Sequence, residues 1–343
     1  MTVPLTVPFT LTGTTRRTAL AIAAAAAAST FAPGAWAADH TMRLSHQFPP
    51  SHHSAKNLEQ FAADVKAATG GKVEVQIFGS AQLFKPNQNH AAVASGKVEA
   101  ASIVGFTLGG TIPEMNVTLI PYYATGLDKM KKWPGSAAAQ MLDAKLAEKG
   151  LKNIGWMVDA SDGIFTSAKS ALVKPADFKG IKIRGLSKLF DEGLVAMGAA
   201  PSAMPGSEVY QALQTGVIDA GFTGVAAAYE RKFYEVQKFG VASNIILAHD
   251  ILVVNPEWFG KLPADLQAAI LAASKKAEQR SIPPSAEIPA EDVKNLRDKG
   301  MEVTVLTPAQ EKAMSDAMQP AVLKAFLASS PDAQKLVDAL NKL

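Results

Sequence analysis

Two fourteen-residue segments of the chain, 120 residues apart, match each other without gaps. The first, from His90 to Ile103, reads HAAVASGKVEAASI, and the second, from Tyr210 to Thr223, reads YQALQTGVIDAGFT. In each, a helical stretch is stopped by glycine, and the pattern G-x-[VI]-[ED]-A then enters an apolar strand. A Gly-Ser pair precedes each copy, at Gly79-Ser80 and Gly206-Ser207. Such a short alanine-rich match can arise by chance, but with the matching upstream order it predicts one α/β lobe present twice.

Two similar lobes in one chain place a cleft between them, which is where a small ligand binds. The 343 residues are 48% hydrophobic and 19% charged, an ordinary globular composition with room for two domains. We predict a first lobe from residues 38–160 plus about 250–290, and a second from residues 161–249 plus about 291–343. The turn-rich segment 159–163 is the predicted hinge.

A long helix is predicted to run behind the lobes, opened by Pro263 and reaching about Gln279. Its apolar face carries Leu266, Ala269, Ile270, Ala273 and Ala277. Further on, Pro283-Pro284 and Pro289 must interrupt any helix, because proline removes a backbone donor and clashes with the preceding turn. The sequence therefore predicts a back helix that is split near Pro283-Pro284.

The first 37 residues have the features of an export signal. They contain Arg16 and Arg17, no acidic residue, and an alanine-rich run from Ala19 to Ala28 that is too short to span a bilayer. Ala35-Trp36-Ala37 is an A-x-A cleavage site, so we predict a periplasmic protein with its signal peptide cleaved near Ala37-Ala38. The segment TRRTAL resembles a twin-arginine motif, which leaves both export routes open.

Charge and cysteine content exclude several classes of function. Without residues 1–37 the formal net charge falls from +3 to +1, which gives no electrostatic basis for nucleic-acid binding. The absence of cysteine excludes a disulfide framework and a thiol nucleophile. His46, His52, His53 and His249 can suggest a metal site. Loop histidines without cysteine or clustered carboxylates are more often polar surface, so neither metal nor cofactor is predicted.

Arg184 is the first candidate binding residue. It ends a short alternating strand from Ile181, and strand ends that face a crevice are where α/β proteins bind ligands. A guanidinium there matches the two oxygens of a carboxylate or phosphate. A surface ion pair with Asp191 or Glu192 explains the same residue equally well.

Six further residues are candidates because they end strands or form turns at the predicted cleft. Thr223 can offer a hydroxyl group. Phe222 is its neighbour, and strand alternation allows only one of the two to face the cleft; we favour Thr223. For Gln47, Phe48 and Thr107 an ordinary loop role is slightly favoured over ligand contact. Asp162 can accept from a ligand hydroxyl group, but turn formation explains it as well.

The order and spacing of six stretches resemble the solute-binding proteins of TRAP transporters, the C4-dicarboxylate-type periplasmic binders. The stretches are TGGKVEVQIFGSAQL, SGKVEAASI, LIPYY, FKGIKIR, SEVYQALQTGVIDAG and NPEWFGKLPADLQAAI. The resemblance implies a two-lobed periplasmic-binding-protein-like fold that closes on a ligand. It also implies transfer of a captured organic acid to a permease with a small and a large membrane subunit.

The resemblance also implies site residues. The family's anchor is an arginine in a G-x-K-x-R pattern, which Gly180 to Arg184 supply. Many members place a second arginine where this chain has Gly163, and an asparagine where it has Thr223. Loss of a second guanidinium argues against sialic acid or a standard C4-dicarboxylate, so the predicted ligand is a small monocarboxylate.

Two other functions stay open at this point. An exported hydrolase is one, although the sequence contains no G-x-S-x-G, H-E-x-x-H, P-loop or dinucleotide-binding pattern. A ligand-loaded partner of a membrane sensor is the other. Transport is the favoured prediction, and catalysis is not expected.

Overall fold

The computed structural model describes residues 38–284 and 287–343; the predicted signal peptide lies outside these ranges. The strands are β1 (His40–Ser45), β2 (Val73–Phe78), β3 (Ala100–Val104), β4 (Lys152–Ala160), β5 (Gly163–Ser167), β6 (Lys182–Gly185), β7 (Ala200–Ala203), β8 (Ala220–Thr223), β9 (Phe239–Ser243), β10 (Ala248–Val254) and β11 (Glu302–Val305). The helices are α1 (His53–Ala68), α2 (Asn89–Ala94), α3 (Leu127–Lys132), α4 (Ala137–Glu148), α5 (Lys188–Ala196), α6 (Gly206–Gln214), α7 (Val225–Glu230), α8 (Pro256–Gly260), α9 (Ala264–Ser281), α10 (Ala290–Asp298), α11 (Pro308–Leu327) and α12 (Ala333–Leu340).

The strands form two sheets with matching topology. The first has the order β2-β1-β3-β10-β4, and the second has the order β11-β9-β5-β8-β6-β7. Read from the other end, five strands of the second sheet repeat the first, with β7, β6, β8, β5 and β9 in place of β2, β1, β3, β10 and β4; β11 is a sixth strand without a counterpart. The corresponding strands β10 and β5 each run antiparallel to both of their neighbours. The matching sequence segments end in β3 and β8. The predicted duplication and the predicted two-lobed α/β fold are confirmed.

The chain passes between the sheets at two short connections, and a third time between β10 and β11. Residues 161–162 connect β4 of the first sheet to β5 of the second, and residues 244–247 connect β9 of the second to β10 of the first. Each lobe therefore takes one strand from the other half of the chain. This exchange positions the ends of β3, β6 and β8 around the gap between the sheets.

Local sequence explains the helix ends that border this gap. The side chain of His52 accepts a hydrogen bond from the Ser54 amide, which caps α1, and Gly70 and Gly71 end the helix at φ values of 60° and 82°. Leu58, Phe61 and Val65 are buried on the expected stripe. Ser187 caps α5 in the same way, by accepting from the Phe190 amide.

The back helix α9 lies along the free edge of β4. Ser274 Oγ donates to the Ile154 carbonyl at 2.7 Å, and the Glu278 carboxylate and Ser281 Oγ accept from the amides of Trp156 and Val158 at 3.0 and 2.8 Å. These bonds cover backbone groups that a sheet edge otherwise exposes. The helix ends at Ser281 and α10 starts at Ala290, so the predicted split near Pro283-Pro284 is confirmed.

The C-terminal helix departs from the predicted assignment of residues 291–343 to the second lobe. Leu336 and Leu340 of α12 belong to the same buried cluster as Leu142 and Leu146 of α4, in the first half of the chain. Lys145 and Asp332 form an ion pair across this contact at 3.0 Å. An amphipathic stripe shows that a helix needs a partner but not which lobe provides it. The other lobe boundaries stay a prediction.

Within residues 38–284 and 287–343, no helix is long and apolar enough to cross a bilayer.

The contact between α9 and β4 generates a stability prediction. A Cβ added at Gly155 would overlap Ser274 Oγ, whereas one added at Gly260 meets nothing within 4 Å. We expect Gly155→Ala to lower the free energy of unfolding by about 1–3 kcal/mol because the helix or Ser274 must shift. Urea unfolding measures this change, with Gly260→Ala as the control that keeps or slightly raises stability. Equal stability of the two variants would show that α9 is not held closely against β4.

Candidate functional site

A small cavity lies between the two sheets, at the carboxyl ends of β6 and β8. Residues of both sheets line it, among them Gln47, Phe106, Asp159, Arg184, Thr223 and Arg231. Its volume is about 20 Å³, so the lining must move outward before an organic acid fits. Phe106 and Leu186 separate it from an outer cavity of about 590 Å³, and Gln47 and Arg231 also line a second outer cavity of about 480 Å³.

Arg184 is held at this cavity by backbone carbonyl groups. Its Nε and Nη2 donate to the Met204 carbonyl at 3.2 and 3.1 Å, and its Nη1 donates to the Phe222 carbonyl at 2.5 Å. A guanidinium has five N–H groups, so two remain, one on each terminal nitrogen. The Phe106 ring lies 5.7 Å from Cζ. Arg184 lines the cavity, and these two N–H groups are available to a ligand.

Arg184 is 2% exposed, which decides between a ligand-binding arginine in a crevice and an arginine in a surface ion pair. Among the described residues, arginine ion pairs are formed by Arg43 and Arg280 and not by Arg184. The alternative of a surface pair with Asp191 or Glu192 is therefore wrong. Burial, together with the positive charge of Arg231, lowers the pKa of Arg184 to about 9. A buried cation whose neighbours depress its pKa favours an anionic ligand.

Arg231 is a second guanidinium at the same cavity, and it was missed in the sequence. It follows the last residue of α7, and its Nη1 donates to Thr223 Oγ1 at 3.0 Å. Its Nε is buried without a hydrogen-bond partner, and burial lowers its pKa. A Cβ at Gly206 would lie 2.8 Å from Cζ of Arg231, so glycine at that position makes room for the guanidinium.

Thr223 and Gln47 lie at the cavity, as predicted. Thr223 ends β8 and accepts from Arg231, which leaves its own O–H free to donate. Gln47 follows β1, and its Oε1 is buried without a partner. Both can contact a ligand next to Arg184, although their role in binding stays a prediction.

Phe222 and Phe48 are core residues and do not line the cavity. Phe222 is fully buried and stacks on Phe190 with ring centroids 5.1 Å apart. Strand alternation explains this position, since Thr223 takes the cavity face of β8. Phe48 is also fully buried, and its ring contacts those of His46 and His52 at 5.5 and 4.6 Å.

Gly163, Asp162 and Thr107 also lie outside this cavity. A Cβ at Gly163 would lie 2.5 Å from the Phe222 ring, so aromatic packing fills the space where the resemblance suggested an arginine. Asp162 accepts from the Val225 amide at 2.9 Å at the start of α7. Thr107 donates to the Val104 carbonyl at 2.7 Å and lines the larger outer cavity.

The histidines are not the polar surface that the sequence suggested. His46, His52 and His249 are at most 4% exposed, and burial lowers the pKa of His46 to about 4 and that of His249 to about 3. His249 stacks on Trp133 with ring centroids 4.8 Å apart. Side-chain donor atoms of His52, His53 and Glu230 lie within 4.8 Å of one another. The absence of a metal stays a prediction.

Comparison with known proteins identifies the family. The model of the bacterial extracellular solute-binding protein family 7, DctP, matches residues 44–329. The chain belongs to this family. The resemblance to TRAP solute-binding proteins that the sequence suggested is thereby confirmed.

Three similar proteins illustrate the match to DctP relatives. The C4-dicarboxylate-binding periplasmic protein DctP of Rhodobacter capsulatus is 29% identical over 283 residues, covering 81% of this chain and 84% of that protein. A TRAP periplasmic solute binding protein from Desulfovibrio salexigens, with bound orotic acid, has a TM-score of 0.81 and 28% identity, covering 88% of this chain and 97% of the other. One from Sulfurospirillum deleyianum, with bound succinate, has a TM-score of 0.80 and 27% identity, covering 88% and 99%.

The placement of Gly163 generates a testable prediction. We expect Gly163→Arg to cost at least about 3 kcal/mol of unfolding free energy, because the new side chain displaces the Phe222 ring and buries an unpaired charge. Gly260→Arg is the matched control at an open, exposed glycine, and it should change stability little. Chemical denaturation compares the two variants. A Gly163→Arg protein as stable as the parent would mean that this position faces open space.

Proposed function

We propose that this protein is the solute-binding subunit of a TRAP-type transporter. It captures a small organic carboxylate between its lobes and delivers it to the small and large membrane subunits of the permease. The observation that carries the proposal is the pair of buried guanidinium groups, Arg184 and Arg231, at one cavity between the sheets. Neither has a carboxylate within ion-pair distance in residues 38–284 and 287–343. Asp159 acts on both charges from a longer distance, so the direct carboxylate partner is supplied by the ligand.

Closure around the ligand follows from how the cavity is built. Residues from both sheets line it, so a bound acid bridges the lobes and stabilises the closed arrangement. A charge-assisted hydrogen bond contributes about 1.5–3 kcal/mol. The two free N–H groups of Arg184 therefore contribute about 3–6 kcal/mol. Apolar contact with Phe106 and Leu186 and bonds to the other polar lining residues supply the rest of the about −8 kcal/mol that micromolar binding requires.

The ligand that fits best carries a second acceptor group in addition to its carboxylate. The prediction of a monocarboxylate depended on the loss of a second arginine at position 163, and Arg231 removes that reason. Two positive groups at one cavity suit a dicarboxylate or a carboxylate with a carbonyl or hydroxyl oxygen. Thr223, already bonded to Arg231, can contact the same end of the ligand.

Export and the absence of catalysis complete the proposal. The protein acts in the periplasm after removal of residues 1–37, and its work is binding and release without chemical change of the ligand. Support comes from the export features of the N-terminal sequence and from the solute-binding family. Mass spectrometry of the protein recovered from the periplasm tests this part, with a mature start near Ala38 as the expected result.

Substitution of Arg184 tests the carboxylate clamp. A thermal-shift screen of organic acids that includes succinate and orotate first identifies a ligand, because binding raises the apparent stability. We expect Arg184→Lys to weaken that ligand by about 10–100-fold in calorimetry, since an ammonium group cannot reproduce the fork. Circular dichroism verifies the fold, and Arg297→Lys is the matched control on an exposed arginine. Unchanged affinity in a folded Arg184→Lys protein would exclude the clamp.

Substitution of Arg231 tests the second acceptor. Succinate and butyrate have the same carbon chain length and differ by one carboxylate. We expect the parent to prefer succinate, and Arg231→Gln to reduce that preference by about 10–100-fold, because the distal carboxylate loses its partner. Calorimetric competition against a tight ligand measures both acids. If Arg231→Gln kept the preference for succinate over butyrate, the distal carboxylate would have to bind away from Arg231. If the parent bound both acids equally, the prediction of a monocarboxylate ligand would be restored.

A further inference from the structure

Glu230, the last residue of α7, forms hydrogen bonds with the start of α1 on the other half of the molecule. Its Oε1 accepts from the His53 amide at 2.9 Å, and its Oε2 lies 3.0 Å from His53 Nδ1. Its backbone carbonyl also accepts from Ser51 Oγ at 3.2 Å. A carboxylate at the N-terminus of a sixteen-residue helix is stabilised by the helix dipole as well as by the amide. Glu230 therefore connects the two lobes through both its side chain and its backbone carbonyl.

The partners of His53 show that its ring is positively charged. Nδ1 faces the Glu230 carboxylate, and Nε2 lies 2.9 Å from the Asp159 carbonyl oxygen. Both partners can only accept, so both ring nitrogens must carry a proton. Burial alone lowers the pKa of His53, but the hydrogen bond to Glu230 and the charges of Asp159, Glu230 and Asp250 outweigh it and raise the pKa to about 9.

The charged groups around His53 come from every neighbouring element. Acidic groups outnumber basic ones, which favours the protonated ring. The acidic groups are Asp159 of β4, Asp162 after it, Glu230 of α7, Asp250 of β10 and Asp292 of α10. The basic groups are Arg231 and Lys56, which act on the neighbouring ring of His52. His52 itself is neutral, because burial holds its pKa well below the usual value.

The same three side chains do not present the lone pairs that a metal ion needs. His52 Nδ1 accepts from the Ser54 amide at 3.2 Å, so its other nitrogen carries the proton of the neutral ring. A metal at Nε2 of His52 would move the ring proton to Nδ1, which could then no longer accept from the Ser54 amide and cap α1. A metal at Nδ1 of His53 would replace the bond of that nitrogen to Glu230. The geometry is that of a charged hydrogen-bond network.

Glu230 is followed directly by Arg231, the second guanidinium at the ligand cavity. A short helix that is fixed at its last residue has little freedom at the next one. Any movement of α7 away from α1 breaks the bonds of Glu230 and withdraws Arg231 from the cavity at the same time.

We propose that Glu230 and His53 form an interlobe clamp that positions Arg231 and makes the closed arrangement depend on pH. The His53 pKa is higher in the folded, clamped protein than in a free histidine, so the stabilisation is complete below the ordinary value of 6.5. It is lost as the pH rises through about 9, when the ring becomes neutral and one of its two hydrogen bonds must break.

A distance measurement without ligand tests the clamp. The chain has no cysteine, so Asn87→Cys with Lys188→Cys places spin labels only at two exposed positions, on opposite sides of the outer cavity. Double electron–electron resonance on samples equilibrated between pH 7 and 10 should show a growing long-distance population with a midpoint near pH 9. His53→Gln and Glu230→Gln should show that population already at pH 7 and lose the pH step.

His40→Gln is the matched control, because His40 lies on β1 away from Glu230, and this variant should keep the parent's step. A parent distance that does not change with pH, or an unaltered step in His53→Gln, would overturn the proposal. If the variants do not fold, NMR titration of the His53 ring in the parent decides: a midpoint near 9 supports the clamp, and one at or below 6.5 overturns it. Because no ligand is used, failure here is distinguishable from failure of the proposed transport function.

Discussion

The structure depends on a guanidinium that is buried without a carboxylate partner. Arg184 is tied to the carbonyl groups of Met204 and Phe222, and these neutral acceptors fix its orientation without cancelling its charge. Burial of an unpaired charge costs stability, and a native protein retains such a group where function requires it. The lowered pKa of Arg184 records that cost. A ligand carboxylate offsets this cost, so ligand binding stabilises the closed arrangement in addition to the bonds of Glu230 and His53.

Duplication with strand exchange explains why the site lies where it does. Each sheet takes one strand from the other half of the chain, so the connections at residues 161–162 and 244–247 keep the two lobes side by side. The corresponding strands β3 and β8 both end at the gap. Asymmetry then arises from side chains: the second lobe supplies Arg184, Thr223 and Arg231, while the first supplies Gln47 and Phe106.

The sequence predicted what depends on local pattern and missed what depends on packing between distant segments. Helix stops, the proline break after α9 and the strand-end position of Arg184 were all readable, since glycine, proline and alternation act within a few residues. Arg231 was missed because α7 must first fold back onto β8 before its C-terminal end reaches the cavity; its only local signal is a basic residue eight positions after Thr223. Gly163 was assigned to the site by resemblance, yet Phe222 fills its surroundings.

The most direct test of the central claim is a crystal structure of the protein with its tightest-binding organic acid. We expect a ligand carboxylate whose two oxygens lie about 2.7–2.9 Å from Nη1 and Nη2 of Arg184, with the lobes closed around it. A ligand whose carboxylate is held by other groups, with Arg184 still bonded only to the Met204 and Phe222 carbonyls, would contradict it.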